Sequence, residues 1–158
     1  MRDLAPHIHR QRLVIEGTPT DLISAEDITS YLSALSVELD MIEILAPVMH
    51  QSDLYGWAGW IHWETSGAHF YAWDEPRRFF SVDIYTCKAF DPQTVIDALV
   101  HAATEKIEAA KTAGKLSAER AAKLEQGAPQ RITKFVNEWH PGVRTKGAGA
   151  ESADGAAA

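Results

Sequence analysis

Hydrophobic positions in the first forty residues change from a strand pattern to a helix pattern. Residues 8–16 predict a first strand, which ends at the breaker cluster of residues 17–19. Ser24, followed three residues later by Asp27, resembles a helix N-cap. The apolar residues after this cap recur at helical spacing, at Ile28, Tyr31, Leu32, Leu35 and Leu39. A helix that ends near residue 40 is therefore expected after the first strand.

The middle of the chain predicts short strands joined by tight turns. Residues 42–49 suit a short strand, although Pro47 limits its backbone pairing. Three further strands are expected over residues 55–64, 68–73 and 79–87. Ser66 and Gly67 predict the first turn between them, and residues 74–76 predict the second. Because such short connections join antiparallel neighbours, this block predicts an antiparallel sheet.

The pattern after this block is mainly helical. Asp91 followed by Pro92 is typical of an N-cap and a first helical position, and Gly114 is expected to end that helix. A shorter charged helix is expected over residues 117–126 and a last strand over residues 131–139. The predicted fold class is therefore α+β, a two-layer α/β sandwich whose antiparallel sheet carries helices on one face.

Size and charge narrow the picture further. The 158 residues suit one folded domain over residues 1–140. Residues 141–158 include ten Gly or Ala and predict a disordered tail. The chain carries 22 acidic and 15 basic residues, a net charge of −7. This balance argues against a nucleic-acid or anionic-membrane partner, which would require a basic surface, and is compatible with a cationic substrate.

Cysteine and histidine usage bears on location and on metal binding. The one cysteine, Cys87, excludes an intramolecular disulfide and a cysteine-rich zinc site. His50, His62 and His69 match no compact ligand spacing, so no metal site is predicted. No run approaches the ~20 apolar residues of a membrane span, and the N-terminus has no apolar signal core. The expected location is the cytoplasm.

Three sequence motifs between residues 56 and 87 point to a known family. Residues 56–59 read GWAG, residues 64–75 read ETSGAHFYAWDE, and residues 82–87 read VDIYTC. Together they resemble the motifs of the bacterial and archaeal S-adenosylmethionine (AdoMet) decarboxylases, which are roughly GVSG, ESHxxxHxWPE and V/I-D-x-F/Y-T-C. The serine-to-tryptophan spacing agrees without a gap. The stretch from tryptophan to cysteine is one residue longer than usual.

The resemblance implies a chemistry for individual residues. In that family the chain cuts itself before the motif serine, which becomes an N-terminal pyruvoyl group. The ketone of that group withdraws electrons while the substrate loses CO₂ in polyamine synthesis. Ser66 stands at the pyruvoyl-precursor position, and Cys87 stands at the position of the proton donor. Glu75 stands at the acid of the WPE motif, which implies substrate contact, and Trp73 and His50 also fit the family pattern.

Several positions depart from the family motif. The family has Glu before the serine, His after it, His two residues before the tryptophan and Ser in GVSG. This chain has in their places Thr65, Gly67, Tyr71 and Ala58. Because strand side chains alternate, His69 and Tyr71 are expected on one face of the sheet, where His69 could replace the missing proton carrier.

Two functions of different classes remain open on the sequence. The first is pyruvoyl-dependent decarboxylation of AdoMet or of a related cationic amino acid, with Ser66, Cys87, His69 and Tyr71 as catalytic residues. The second is an unprocessed, non-catalytic paralogue that binds AdoMet or a polyamine, or regulates a partner decarboxylase. The resemblance also implies a homodimer. The cluster of Trp57, Trp60, Trp63 and Trp73 is either core and interface or a platform for the adenine.

Overall fold

The fold is that of a computed structural model, which describes residues 5–128 and 132–135. It contains one six-stranded sheet with the strand order β2-β3-β4-β5-β1-β6, in which all neighbouring strands are antiparallel. The strands are β1 (Gln11–Gly17), β2 (Glu43–Ser52), β3 (Gly56–Trp63), β4 (Ser66–Trp73), β5 (Phe79–Thr86) and β6 (Ile132–Phe135). The helices are α1 (Ala25–Glu38), α2 (Pro92–Thr112) and α3 (Ala118–Gly127). The predicted α+β class is confirmed.

The prediction is wrong at the connection between β3 and β4. Ser66 and Gly67 were expected to form the turn, but both belong to β4, and Ser66 pairs with Trp63 at the end of β3. The turn consists of Glu64 and Thr65 instead. This difference is functionally relevant because it places Ser66 at the first hydrogen-bonded position of a strand, next to a two-residue turn.

The edge strand β2 shows the expected effect of its proline. The pairing of β2 with β3 shifts register between Glu43 and Leu45 and again between Leu45 and Val48, and the second shift includes Pro47. Proline has no N–H to give to a ladder, so it is tolerated at a sheet edge. The predicted strand over residues 131–139 is described at Ile132–Phe135, and the predicted tail lies outside the described residues.

Helices α1 and α2 cover one face of the sheet. Ile28, Leu32 and Leu35 of α1 are buried there, together with Val95 and Leu99 of α2. The strands contribute every second side chain to this core, for example Phe70. The intervening side chains are mostly half-buried or exposed, and the described helices leave their face of the sheet uncovered. None of the helices in the described ranges is long and apolar enough to span a membrane.

The N-terminus of α1 also connects the two helices. Ser24 accepts a hydrogen bond from the Asp27 N–H, and the Asp27 carboxylate accepts one from the Ser24 N–H at 2.8 Å, which completes a capping box. The Lys106 Nζ of α2 donates to the same carboxylate at 2.5 Å. Partial burial raises the pKa of Asp27, but the hydrogen bonds from Lys106 and Ser24 outweigh it and hold that pKa below its usual value.

Replacing Asp27 with asparagine is expected to lower the free energy of unfolding by about 1–2 kcal/mol at pH 7, because both the cap and the ion pair are weakened. Because the pKa of Asp27 is lower in the folded state, its carboxylate stabilises the fold at pH values above the unfolded-state pKa of about 3.9. This stabilisation is lost as the pH falls through the folded-state pKa. The difference from wild type should therefore shrink below about pH 4. Urea unfolding of both proteins at pH 7 and at pH 3 measures this difference in the free energy of unfolding. A difference that is equal at both pH values would show that the carboxylate is not the stabilising group.

Candidate functional site

The start of β4 and the end of β5 bring together the two residues that carry the motif chemistry. Ser66 is paired with Thr86, the last residue of β5, so that Cys87 emerges beside it. The Ser66 Oγ lies 3.9 Å from the Cys87 Sγ. Cys87 is exposed and Ser66 is half-buried, so both remain accessible at this end of the sheet. The contact joins residues that are 21 positions apart in the sequence.

The Ser66 backbone adopts a rare conformation. Its φ is +138°, although the residue has a side chain. Non-glycine residues at such angles cost on the order of 1–3 kcal/mol each and persist only where the surrounding structure imposes them. Pairing with both β3 and β5 supplies that constraint. The strain is located at the Ser66 N–Cα bond, directly next to the peptide bond between Thr65 and Ser66.

The carbonyl group of that peptide bond also has a defined partner. The Cys87 N–H donates a hydrogen bond of 2.9 Å to the Thr65 carbonyl oxygen. A backbone N–H that points at a carbonyl oxygen stabilises negative charge that develops there when a nucleophile adds to the carbon. The end of β5 therefore contributes both a thiol and an oxyanion-type donor to the same peptide.

A chain of hydrogen bonds connects the end of β5 to the side chain of Thr65. The Lys88 N–H donates to the Thr86 Oγ1 at 2.9 Å, and the Thr86 hydroxyl donates to the Thr65 Oγ1 at 3.2 Å. The Thr65 hydroxyl in turn faces the Met41 Sδ at 3.4 Å. Sequence reasoning missed Thr86, although it stands next to Cys87 within the VDIYTC motif. Its burial at the end of β5, where it is paired with Ser66 of β4 and Gln11 of β1, could not be inferred from the motif alone.

Ser66 and Cys87 both lie within a stretch of the chain that matches a protein family. The family model described as S-adenosylmethionine decarboxylase matches residues 14–113, more than half of the chain. The chain belongs to the S-adenosylmethionine decarboxylase family. The match extends from β1 through α2 and includes every motif residue considered above. A search of curated proteins found no match.

The other predicted site residues form a separate group on the open face, which is the side of the sheet that carries Trp60, His69, Tyr71, Trp73 and Asp83. The rings of His69 and Tyr71 meet edge to face with centroids 6.2 Å apart, which confirms that they share a face. A shallow groove of about 450 Å³ lies there. It is lined by His50, Tyr55, Ala58, Gly59, Trp60, His62, His69 and Tyr71. Ser66 and Cys87 are not among its lining residues.

Distance along β4 explains this separation. His69 lies three residues beyond Ser66, about 10 Å along the strand. Trp73 is farther along and stacks loosely with Tyr71, at a centroid distance of 5.7 Å, and with Phe79 at 5.3 Å. Glu75 is exposed in the turn after Trp73. The structure thus brings Ser66 to Cys87, and His50, His69 and Tyr71 to the groove.

The four tryptophans divide between the two faces. Trp63 is only 2% exposed, and its Nε1 donates to the Ser36 Oγ at 2.8 Å, so it belongs to the core. Trp57 packs against that core as well. Trp60 and Trp73 lie on the open face, where a flat ligand has access to them. The three histidines of the groove are not arranged for a metal, since no group of three suitable side chains occurs within the described residues.

The acid of the VDIYTC motif is already paired. The Arg12 Nε and Nη2 donate to the two carboxylate oxygens of Asp83 at 2.9 and 2.5 Å. The hydrogen bonds and the charge of Asp83 raise the pKa of Arg12. Because Arg12 neutralises Asp83, Glu75 is the better candidate for contact with a cationic substrate.

The replacement of the family's histidine by Gly67 has a steric basis. A Cβ at Gly67 would lie 2.3 Å from the Ile61 carbonyl oxygen of β3. The backbones of β3 and β4 therefore approach too closely for any side chain at this position. Ala58, at the family's serine position, is buried and is paired with Tyr71. The packing of the hairpin thus explains Gly67, whereas nothing in the structure explains the replacement of the serine by Ala58.

Replacing Gly67 with alanine is expected to lower the free energy of unfolding by about 3 kcal/mol, because the new methyl group clashes with backbone rather than with a movable side chain. The matched control is Gly114→Ala, where φ is +70° and no atom lies within 4 Å of the added Cβ. That control should cost only about 1 kcal/mol. Urea unfolding of both variants gives the comparison, and equal losses would contradict the proposed clash.

Proposed function

We propose that this protein is a pyruvoyl-dependent decarboxylase of AdoMet or of a closely related cationic amino acid. The observation that carries the proposal is the convergence of three groups on one peptide. The strained Ser66, the Cys87 thiol and the Cys87 N–H all adjoin the Thr65–Ser66 peptide bond. Family membership supplies the reaction class, and these contacts supply the residues that would perform it in this chain.

The pyruvoyl group would derive from Ser66, and the surroundings of that residue fit its formation. The Ser66 Oγ adds to the Thr65 carbonyl carbon, and the peptide C–N bond breaks as the acyl group moves to oxygen. The Cys87 N–H stabilises the charge on the Thr65 oxygen during this step. Loss of the Ser66 α-proton expels the Thr65 carboxylate, and water then replaces the nitrogen, which leaves as ammonia.

Cleavage at this position is compatible with the fold. The scissile bond joins the turn to the first residue of β4, and the eight pairs between β3 and β4 extend away from it. The two pieces, residues 1–65 and 66–158, would therefore stay associated through the sheet. No strand has to move for the Ser66 end to remain beside Cys87.

In the decarboxylation itself, the pyruvoyl ketone supplies an electron sink for the departing CO₂. Cys87 is proposed to donate the proton that replaces the lost carboxylate, since its exposed thiol is adjacent to Ser66. His69 and Tyr71 are proposed to act on the part of the substrate that lies in the groove of the open face, since His69 stands about 10 Å along β4 from Ser66, beyond direct proton transfer. Trp73, Glu75 and His50 are proposed to contact the substrate, with the ring of Trp73 available for stacking and Glu75 for the positive charge.

The proposal includes the setting in which the enzyme works. A homodimer is proposed because family members of this length usually pair their sheets across a two-fold axis. The described helices also leave the open face of the sheet uncovered. The expected location is the cytoplasm, and the proposed substrate there is the small molecule AdoMet or a related cationic amino acid. Neither nucleic acid nor a membrane is expected as a partner at a net charge of −7.

Release of labelled CO₂ from carboxyl-labelled AdoMet tests the proposal directly. The purified protein should release the label in proportion to enzyme concentration, and a ketone-directed hydrazine should abolish the release. Carboxyl-labelled ornithine, arginine and lysine serve as alternative cationic substrates. If none of these four compounds, AdoMet included, is decarboxylated, the catalytic function is contradicted.

A second function is favoured by the crowding at Gly67. Since a side chain does not fit there, the chain cannot regain the family's histidine without moving a strand. This observation favours an unprocessed paralogue that binds AdoMet or a polyamine, or that regulates a partner decarboxylase. Calorimetric binding of AdoMet or spermidine to an uncleaved, inactive chain would support this alternative.

A further inference from the structure

We propose that Thr86 is a positioning residue, whose hydroxyl bond to Thr65 holds the Thr65–Ser66 peptide against Cys87. The inference rests on the proposed function for its catalytic meaning. Its structural content is independent of that function, because it concerns a contact between two described side chains. Thr86 itself does not touch the reacting atoms and is not a catalytic residue.

The burial of Thr86 supports this role. The residue has no exposed surface, and its hydroxyl would be costly to bury without partners. It has two partners, since it accepts from the Lys88 N–H and donates to the Thr65 Oγ1. One partner follows Cys87 in the sequence and the other precedes Ser66. A single buried hydroxyl therefore links the two segments that form the site.

The link acts on the same peptide as the oxyanion-type contact. The Thr65 side chain is held by Thr86 and faces the Met41 Sδ, while the Thr65 carbonyl accepts the Cys87 N–H. With both its hydroxyl and its carbonyl held by the end of β5, Thr65 has little freedom to rotate. This fixes the direction of the carbonyl relative to the Ser66 Oγ, on which nucleophilic addition depends.

The contact is specific to residues that this chain has. Thr65 stands where the family motif has glutamate, so a hydroxyl-to-hydroxyl bond is made at a position otherwise occupied by a longer acid. The shorter side chain allows the Thr86 hydroxyl to approach to 3.2 Å. The Thr65 and Thr86 pair thus supplies an alignment that does not depend on the missing carboxylate.

Amide hydrogen exchange can test the link without requiring activity. All variants are made in a Ser66→Ala background, which keeps the Thr65–Ser66 peptide intact. Thr86→Val preserves shape and removes both bonds, so exchange at the Cys87 and Lys88 amides should become about tenfold faster. Thr65→Val removes only the bond between the Thr65 and Thr86 hydroxyls. Exchange at the Cys87 amide should therefore become faster, and exchange at the Lys88 amide should not. Thr86→Ser should restore wild-type rates within about twofold.

The Phe70 amide, in the middle of β4, separates positioning from general destabilisation. If Thr86→Val accelerates Phe70 as much as Cys87, Thr86 stabilises the whole sheet and the proposal is wrong. The proposal is also overturned if Lys88 accelerates alone, because Thr86 then does not hold the Thr65 peptide. Should Thr86→Val fail to fold, Thr65→Val tests the same bond from its half-buried side.

A kinetic measurement connects the link to processing. In chains with Ser66 intact, Thr86→Val should slow self-cleavage about tenfold, and Thr86→Ser should restore it. An unchanged cleavage rate in Thr86→Val would overturn the positioning role. If no chain cleaves, the proposed function fails, and the exchange measurement still decides whether Thr86 aligns the peptide.

Discussion

Replacing Ser66 with alanine is expected to leave one intact polypeptide and to abolish CO₂ release from AdoMet. Alanine lacks the Oγ that must add to the Thr65 carbonyl, and no ketone can form from its side chain. Activity should fall to the rate of a reaction without protein, since every later step requires the ketone. Mass spectrometry measures the cleavage, and release of labelled CO₂ measures the activity.

Ser66→Gly is the matched control for this variant. Both variants remove the hydroxyl, but only glycine relieves the strain at a φ of +138°. Ser66→Gly should therefore remain uncleaved and be about 1 kcal/mol more stable than Ser66→Ala, since relief of strain outweighs the added chain entropy. Cleavage that persists in both variants would show that the scissile bond lies elsewhere.

Replacing Cys87 with alanine is expected to lower the rate of decarboxylation about 100-fold or more while leaving self-cleavage largely intact. The proton donor is lost, and proton transfer by a positioned side chain contributes roughly 10²–10⁴-fold. The oxyanion-type donor is retained, because the N–H that bonds to Thr65 belongs to the backbone. Steady-state rates and intact mass, measured on the same preparation, separate the two effects.

Cys87→Ser tests whether the thiol is needed for its acidity or only for its size. Serine keeps a hydrogen-bonding group beside the Ser66 position, but a hydroxyl is a far weaker acid than a thiol. Its rate should therefore stay close to that of Cys87→Ala. A variant without the thiol that decarboxylates at the wild-type rate would exclude Cys87 as the proton donor.

Much of the fold follows from local sequence signals. The capping box at Ser24 and the proline after Asp91 each fix a helix start with backbone groups close in the sequence. Tight connections fixed the antiparallel order of β3, β4 and β5 in the same way. The β3–β4 turn was placed two residues too late, because Ser66 and Gly67 have turn propensity while tertiary pairing with β5 draws both into a strand.

The site could be predicted only where a motif fixes register. The motif spacing indicated that Ser66 and Cys87 belong to one site, and their side chains do meet. It did not indicate that His69 would lie about 10 Å from Ser66, because Ser66 was expected in a turn, whereas it belongs to the extended strand β4. The buried hydroxyl of Thr86 was missed because its burial depends on the neighbouring strands β1 and β4, which are distant in the sequence.

The departures from the family motif have different physical origins. Gly67 is required by the approach of β3 to β4, whereas Thr65 gains a hydroxyl contact with Thr86. Tyr71 extends an aromatic group with His69 and Trp73 on the open face. The chain therefore keeps the serine and the cysteine of the motif, at Ser66 and Cys87, and differs in the residues around them. Conversion of Ser66 to a pyruvoyl group would show that the proton transfers of self-cleavage still occur with these altered neighbours.

Intact-mass spectrometry of the purified wild-type protein, before and after treatment with a ketone-directed hydrazine, tests that conversion most directly. Processing predicts a fragment of residues 1–65 and a second fragment that begins at position 66 with a pyruvoyl group. Only the second fragment should gain the mass of the reagent. A single unreactive chain of 17.4 kDa would contradict the pyruvoyl assignment and favour the unprocessed paralogue.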